Sequence, residues 1–184
     1  MDSYLEMKKI TIKDKNFKTF ISFEEIQKSV LDVAQKINKD FANSNPLFLI
    51  VLNGSFMFAA DLLKKVTIPC EISFIKLSSY HGTSSTGIVN ELIGINEEIH
   101  GREIIIVEDI VDSGVTLEKI YKLLSEKNPK TISTCTLLYK PEAFKKDIEI
   151  NYVGKSIGND FVVGYGLDYD GLGRNLEDIY VLDA

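Results

Sequence analysis

Continuous apolar runs alternate along the chain with segments of helical periodicity. The run 46–52 is apolar throughout and predicts a strand buried on both faces, and the segment 102–110, with its apolar run at 104–107, predicts another strand of this kind. Other segments carry apolar residues at helical spacing. The predicted order is a helix, a strand, a helix, two strands, a helix and two strands, over 22–43, 46–55, 56–66, 70–79, 102–110, 116–128, 131–140 and 160–168. We therefore expect an α/β fold, with right-handed crossovers and a central parallel sheet flanked by helices.

Local signals mark the ends of two of these helices. Ser22 precedes Glu25 by three residues, which predicts a capping box at the start of the first helix. Pro129 follows the helical pattern of 116–128 and predicts its end.

The alternation fails between the strand that ends near residue 79 and the next strand. The segment 79–100 is rich in Ser, Thr and Gly and is too long for an ordinary connection. It is either a functional flap or a passive insertion. Because Ser79 and Tyr80 follow a strand end where ligands bind in such folds, the flap is the favoured interpretation.

The chain of 184 residues is long enough for one domain with a sizeable core. A net charge of −6 without a basic block argues against nucleic acid as a partner. No apolar window approaches the length of a membrane span, and the charged N-terminus resembles neither a secretory signal nor a transit peptide. We therefore expect a cytoplasmic protein without a membrane partner, in which Cys70 and Cys135 are buried reduced thiols.

Polar residues follow each predicted strand, and the carboxyl ends of parallel strands meet at one edge of a sheet. Any one of these groups alone is typical of an ordinary turn. Their convergence indicates a site. The groups are Asn53-Gly54-Ser55, Ser78-Ser79-Tyr80, Glu108-Asp109, Tyr139-Lys140 and Leu167-Asp168.

The turn from Asp112 to Thr116 offers successive backbone N–H groups and two hydroxyls at the start of a helix. Such a turn binds a monophosphate without a cation. The preceding carboxylates, Glu108 and Asp109, are suited to sugar hydroxyls or to Mg²⁺. Together they predict a site for a sugar phosphate with a metal, whereas a Walker loop is excluded by its missing lysine and glycine spacing.

At this point the sequence resembles a known family. "IIIVEDIVDSGVT" is similar to the phosphoribosyl-diphosphate signature of type I phosphoribosyltransferases. Further segments resemble the hypoxanthine–guanine branch in order and spacing, from about Leu47 to Leu182: "VLNGSFMFAADLL", "LSSYHG", "LLYK" and "DFVVGYGLDY".

The resemblance implies roles on the phosphoribosyl side of a site. Asp112, Ser113, Gly114, Val115 and Thr116 match the 5′-phosphate loop, and Asp112 also matches the residue proposed as the base at the purine N7. Alternatively, Asp112 only orients the purine.

Further roles concern the metal and the diphosphate. Glu108 and Asp109 match the ribose and Mg²⁺ carboxylates. Asn53 and Gly54 match the pyrophosphate loop, with a non-proline cis peptide before Asn53, and Arg174 matches a pyrophosphate-binding arginine. Some relatives have a basic residue in place of Asn53. The resemblance therefore implies a contact from the backbone of this loop to the phosphate, but not one from the Asn53 side chain.

On the purine side, Lys140 matches the reader of the 6-oxygen. Phe161 matches the stacking aromatic, Val162 matches a residue whose backbone pairs with the base, and Asp168 matches an acid near the second Mg²⁺ and the base. Without the resemblance, Lys140 is a solvated strand end, and Phe161 and Val162 are ordinary strand core.

The resemblance thus implies an enzyme of purine salvage that uses Mg²⁺ and 5-phosphoribosyl 1-diphosphate. It would convert hypoxanthine, and guanine as second substrate, into IMP and GMP with release of pyrophosphate. We expect one domain over 1–184, with a core of about 22–140, a hood from 1–21 and 141–184, and a flap of about 79–100. We also expect a homo-oligomer, either a dimer or a tetramer. The rival interpretation is a regulator of the same fold that binds the sugar diphosphate without turnover.

Overall fold

The computed structural model of the protein describes residues 8–77, 91–93 and 97–183. Most of the predicted flap, including Ser79 and Tyr80, therefore lies outside the described residues. The elements follow one another as β1 (Lys9–Ile12), β2 (Lys15–Ile21), α1 (Phe23–Asp40), β3 (Leu47–Val51), α2 (Phe56–Leu63), β4 (Glu71–Leu77), β5 (Glu91–Ile93), β6 (Glu103–Val111), α3 (Val115–Ser125), β7 (Thr131–Tyr139), β8 (Tyr152–Ser156), β9 (Val162–Val163) and β10 (Ile179–Leu182).

The main sheet has six strands in the order β5-β4-β3-β6-β7-β8. Five of them are parallel, and only β5 runs antiparallel to its neighbour β4. Strand β3 and the 104–107 part of β6 are wholly apolar because helices cover both faces of the sheet. The predicted fold class, a parallel sheet flanked by helices, is confirmed.

Helices α1 and α2 pack on one face of this sheet and α3 packs on the other. The predicted capping box starts α1. Ser22 N donates to Glu25 Oε2 at 3.2 Å, and Glu25 N donates to Ser22 Oγ at 3.3 Å. Two of the four orphan N–H groups at this helix start are satisfied in this way.

A second sheet is antiparallel and has the strand order β1-β2-β10-β9. It joins chain segments that are far apart in sequence, because β2 pairs with β10 and β10 pairs with β9. The prediction of a long strand over 160–168 is wrong. Only Val162 and Val163 are extended, and they belong to this second sheet.

The last strand of the main sheet, β8, was not predicted. It lies within the segment assigned to the hood, yet it pairs with β7 in parallel. Its sequence, YVGKS, carries no sustained alternation that would have indicated a strand. The division into core, hood and flap remains a prediction.

Two smaller expectations can be compared with the structure. Cys135 is buried, but Cys70 is only partly so. Among the residues that the structure describes, no helix is both long and apolar enough to cross a membrane.

Candidate active site

The predicted phosphate turn follows β6 directly. This strand continues to Val111, so Asp112 and Ser113 form the turn and Gly114 is the residue before α3. Gly114 has a φ of 81°, a left-handed conformation that glycine adopts readily. A Cβ at this position would lie 2.5 Å from Cε2 of Phe144, so there is no room for a side chain.

An open pocket lies over this turn and has about 320 Å³ of empty space. The N–H groups of the first turn of α3 have no partner within the helix and are available to an anion. Ser113 and Thr116 are exposed and add hydroxyl groups. The residues that line the pocket are Glu108, Ile110, Val111, Asp112, Ser113, Gly114, Val115, Thr116 and Leu117.

The two acids near the end of β6 differ from solvated surface acids. Burial, with the charge of Asp109 beside it, raises the pKa of Glu108 well above its ordinary value of 4.5. Burial raises the pKa of Asp109 from 3.8 to about 6. The N–H of Ile110, 3.0 Å from Asp109 Oδ1, and the charge of Arg174 oppose that rise. Both acids are therefore held where their charged forms need a cation or hydrogen-bond donors.

The loop after β3 approaches Asp109 from the neighbouring strand. The Leu52–Asn53 peptide is cis, as the resemblance implied. Gly54 has no positive φ, but a Cβ on it would lie only 2.5 Å from Cγ of Asp109 and would collide with the carboxylate oxygen Oδ2. A side chain at this position would therefore have to displace the Asp109 carboxylate or shift the loop.

The strand end after β7 meets the phosphate turn. Lys140 is 8% exposed, and its Nζ lies 3.2 Å from Oδ2 of Asp112, which is itself exposed. The N–H of Lys140 donates to the carbonyl of Val111 at 2.9 Å, which fixes the two strand ends relative to each other. The structure thus joins the predicted purine-reading lysine to the predicted catalytic acid.

Asp168 and Arg174 pair with each other in the segment after β9. Arg174 Nη2 lies 2.6 Å from Asp168 Oδ1, and Arg174 Nη1 donates to the carbonyl of Gly166 at 2.6 Å. The charges of both residues act on the pKa of Asp109, with opposite signs. Arg174, predicted to bind pyrophosphate, therefore lies at the edge of the site that holds Asp109.

The predicted purine-contacting residues lie at the edge of the second sheet. Phe161 is 44% exposed, and its ring packs edge-to-face against Tyr169, with 5.8 Å between the ring centroids. Val162 is buried in β9, which is the last strand of its sheet. An exposed aromatic next to a sheet edge can stack on a planar ligand.

The structure brings the predicted residues together in two connected groups. Lys140 and Asp112 join the phosphate turn on one side. Contacts and charges join the pyrophosphate loop, Asp109 and the Asp168–Arg174 pair on the other. Among the residues that the structure describes, no three His, Cys, Asp or Glu side chains form a ready-made metal site.

Sequence reasoning missed Gly166, which packs against the pyrophosphate loop, and its neighbour Tyr165. A Cβ on Gly166, whose φ is 101°, would collide with the carbonyl of Gly54. Tyr165 is fully buried and donates to Asp61 Oδ2 at 2.6 Å. The only signal was the spacing of two glycines around a tyrosine in "GYG", which does not identify its partners.

Comparisons with known proteins agree with this arrangement. A family model described as phosphoribosyl transferase domain matches residues 22–170. The chain belongs to the phosphoribosyltransferase family and is a transferase.

Similar proteins indicate the branch of the family to which the chain is related. The chain is 41% identical over 170 residues to the hypoxanthine-guanine phosphoribosyltransferase of Mycobacterium tuberculosis, which covers 89% of this chain and 84% of the relative. It is 45% identical over 155 residues to the hypoxanthine phosphoribosyltransferase of Buchnera aphidicola, with 83% and 88% covered. A crystal structure of a hypoxanthine-guanine phosphoribosyltransferase from Bacillus anthracis superposes with a TM-score of 0.83 at 41% identity, over 90% of this chain and 96% of the other. The resemblance to the hypoxanthine–guanine branch is confirmed.

Proposed function

We propose that the chain transfers the phosphoribosyl group of 5-phosphoribosyl 1-diphosphate to N9 of hypoxanthine, and of guanine, with Mg²⁺ as cofactor. The products are IMP or GMP and pyrophosphate. The observation that carries this proposal is the 3.2 Å contact between Lys140 Nζ and Asp112 Oδ2. It supports the proposal because Lys140, the proposed reader of the base, lies next to the acid that opens the phosphate turn.

This pair suits one edge of a 6-oxopurine. Lys140 donates and cannot accept, so it matches the 6-oxygen and would leave the 6-amino group of adenine unpaired. Asp112 accepts, so it matches a proton on the adjacent N7. As N9 bonds to the anomeric carbon and the bond from that carbon to the diphosphate breaks, the purine gains positive charge and N7 becomes more acidic, so Asp112 takes the N7 proton as a general base.

The phosphate turn would hold the 5′-phosphate of the sugar. The space over it and the free N–H groups at the start of α3 suit a monophosphate. The side chain of Val115 is exposed and its backbone forms the first turn of α3, so this residue would contact the phosphate through its backbone N–H. Binding here fixes the sugar relative to the purine, which lowers the entropic part of the barrier.

The carboxylates fit a divalent cation. Mg²⁺ is usually bound by one or two protein carboxylates together with substrate phosphates and water. Asp109 and Asp168 supply such oxygens, and they are close enough for the charge of Asp168 to raise the pKa of Asp109. Bound Mg²⁺ would neutralise charge on the departing diphosphate.

Glu108 would serve both the ribose and the metal. It is buried beside Asp109, and burial with that neighbouring charge raises its pKa, so its charged form needs a cation or hydrogen-bond donors. We therefore assign Glu108 to the sugar hydroxyls and, together with Asp109 and Asp168, to the carboxylates that would hold the metal.

Asn53, Gly54 and Arg174 would receive the diphosphate. Gly54 allows close approach of the backbone, and the guanidinium of Arg174 offers a planar set of donors. Phe161 would stack on the purine face, while the backbone of Val162 at the sheet edge would contact the base.

We also place the protein in the cytoplasm as a homodimer or homotetramer. A solved structure of the Trypanosoma cruzi hypoxanthine phosphoribosyl transferase, 36% identical with a TM-score of 0.84, concerns the role of its C-terminal region in oligomeric state.

The test is nucleotide formation from the sugar diphosphate and Mg²⁺, with hypoxanthine, guanine, xanthine and adenine offered separately. We expect turnover of hypoxanthine and guanine and little turnover of adenine. Lys140→Ala should remove most of this preference, whereas Lys155→Ala, which loses only a partly exposed ion pair with Glu25, should retain it. Binding of the sugar diphosphate without turnover of any purine would instead indicate a regulator, and equal kcat/KM for adenine and hypoxanthine would contradict the role of Lys140.

A further inference from the structure

The turn between β1 and β2, with the first residue of β2, contacts the segment that follows Asp168. Tyr169 Oη donates to Asp14 Oδ1 at 2.8 Å, and Lys15 Nζ lies 5.6 Å from the centroid of the Tyr169 ring. Next to it, Lys13 Nζ lies 2.5 Å from Asp170 Oδ2. Three consecutive residues of one turn therefore contact two consecutive residues of a distant segment.

Tyr169 connects this turn to Phe161 on the purine side. Its ring meets Phe161 at an interplanar angle of 86°, the edge-to-face geometry that aromatic pairs prefer. Its neighbour Asp168 accepts a hydrogen bond from Gly171 N at 2.7 Å, so the turn is closed upon itself. Tyr169 therefore lies between the turn after β1 and the exposed ring of Phe161, whereas the Asp168 carboxylate is held by Gly171 and Arg174.

If Tyr169 had only a structural role, its substitution would have a different effect. Phe17 is fully buried and lies 6.2 Å from Phe161 and 6.3 Å from Tyr169, so these rings also help to build the core of the second sheet. Such a core needs apolar surface, but it does not need the hydroxyl of Tyr169 to reach a carboxylate on another turn. Loss of that hydroxyl should then change only stability, if it changes anything.

We propose that Lys13, Asp14 and Lys15 form a clamp on Tyr169 that positions the ring of Phe161 and thereby determines the affinity for the purine. Tyr169 is a positioning residue in this scheme and does not itself contact the substrate. The inference rests on the proposed function, because it assumes that Phe161 stacks on a purine.

Three variants test the clamp through the KM for each substrate. Tyr169→Ala removes the ring that holds Phe161, and we expect the KM for hypoxanthine to rise roughly three- to tenfold while the KM for the sugar diphosphate stays within about twofold. Tyr169→Phe and Asp14→Asn each remove only the Tyr169–Asp14 hydrogen bond. Each should raise the KM for hypoxanthine about twofold, and the double variant should do no more than either alone.

Two control variants match these changes elsewhere. Asp183→Asn weakens exposed ion pairs with Lys9 and Lys18 in the same sheet, and Tyr121→Phe removes a hydroxyl contact to Thr134. Neither should alter the KM for hypoxanthine.

The outcomes separate the clamp from the proposed function. A native protein that turns over none of the purines would overturn both. Normal native turnover would support the proposed function. The clamp alone would then be overturned if the three variants shift only the Tm, or if they raise both KM values equally.

Discussion

Gly54→Ala should displace the Asp109 carboxylate from the pyrophosphate loop, with measurable effects on stability and on binding of the sugar diphosphate. The added Cβ would lie 2.5 Å from Asp109 Cγ and 3.0 Å from Oδ1, far inside the ordinary contact range of 3.4–4 Å, and would collide with Oδ2. The carboxylate must rotate away or the loop must shift. Because Gly54 lacks a positive φ, the backbone itself accepts alanine, and the whole effect comes from this collision.

Two consequences have sizes that follow from this geometry. Overpacking of this kind typically costs about 1–3 kcal/mol of stability. Displacement of the carboxylate should also raise the KM for the sugar diphosphate roughly ten- to a hundredfold, since a hydrogen bond to a charged group contributes about 1.5–3 kcal/mol.

A double-variant cycle isolates the collision. Gly54→Ala is made in the native chain and in Asp109→Ala, and the free energy of unfolding is measured in urea at pH 7. In the Asp109→Ala background the clash is gone, so Gly54→Ala should cost less than about 0.5 kcal/mol. Initial rates at saturating hypoxanthine give the KM for the sugar diphosphate in each variant.

Gly158→Ala is the matched control, because its Cβ would meet only the end of the Asp160 carboxylate, at 3.1 Å. An equal stability cost of Gly54→Ala in both backgrounds would refute the reasoning. So would a native KM for the sugar diphosphate in Gly54→Ala.

Two further predictions concern the acids of β6 and its turn. The folded-state pKa of Asp109 is raised from 3.8 to about 6, so its stabilising effect is present below about pH 4 and is lost as the pH rises to about 6. Asp109→Asn should therefore be more stable than the native chain at pH 7, by up to about 3 kcal/mol, and a stability difference that does not depend on pH between 4 and 7 would contradict this. Asp112→Asn should lower kcat for hypoxanthine by about 10²–10⁴ with little change in the KM for the sugar diphosphate. Near-native kcat, with chemistry shown to limit the rate, would reduce Asp112 to a residue that only orients the purine.

The main sheet could be predicted because short, contiguous apolar segments of the sequence indicate its buried strands. Strand β3 is apolar throughout and β6 has a run of four apolar residues at 104–107, since both faces are covered there, and the capping box of α1 lies within four residues. The phosphate turn is equally local. Its glycine, its hydroxyls and the helix that follows are contiguous in the chain.

The parts that could not be predicted depend on contacts across the chain. The second sheet pairs β2 with β10, which lie far apart in the chain, so their pairing cannot be read from either segment alone. Strand β9 has only two residues, which are too few to show a pattern. The contact of Lys140 with Asp112 depends on two strand ends that become neighbours only when β6 and β7 pair. Gly54 was recognised by its motif, but the carboxylate that requires it belongs to another strand.

The second sheet also bears on the order in which the protein folds. It joins the most distant parts of the chain, and one of its ion pairs links residues 174 positions apart, Lys9 and Asp183. Closing so long a loop is entropically unfavourable until the intervening chain is already compact. The main sheet, with its phosphate turn, should therefore form first, and the surface that carries Phe161 should form last. The protein would acquire its sugar-phosphate site before it could select a purine.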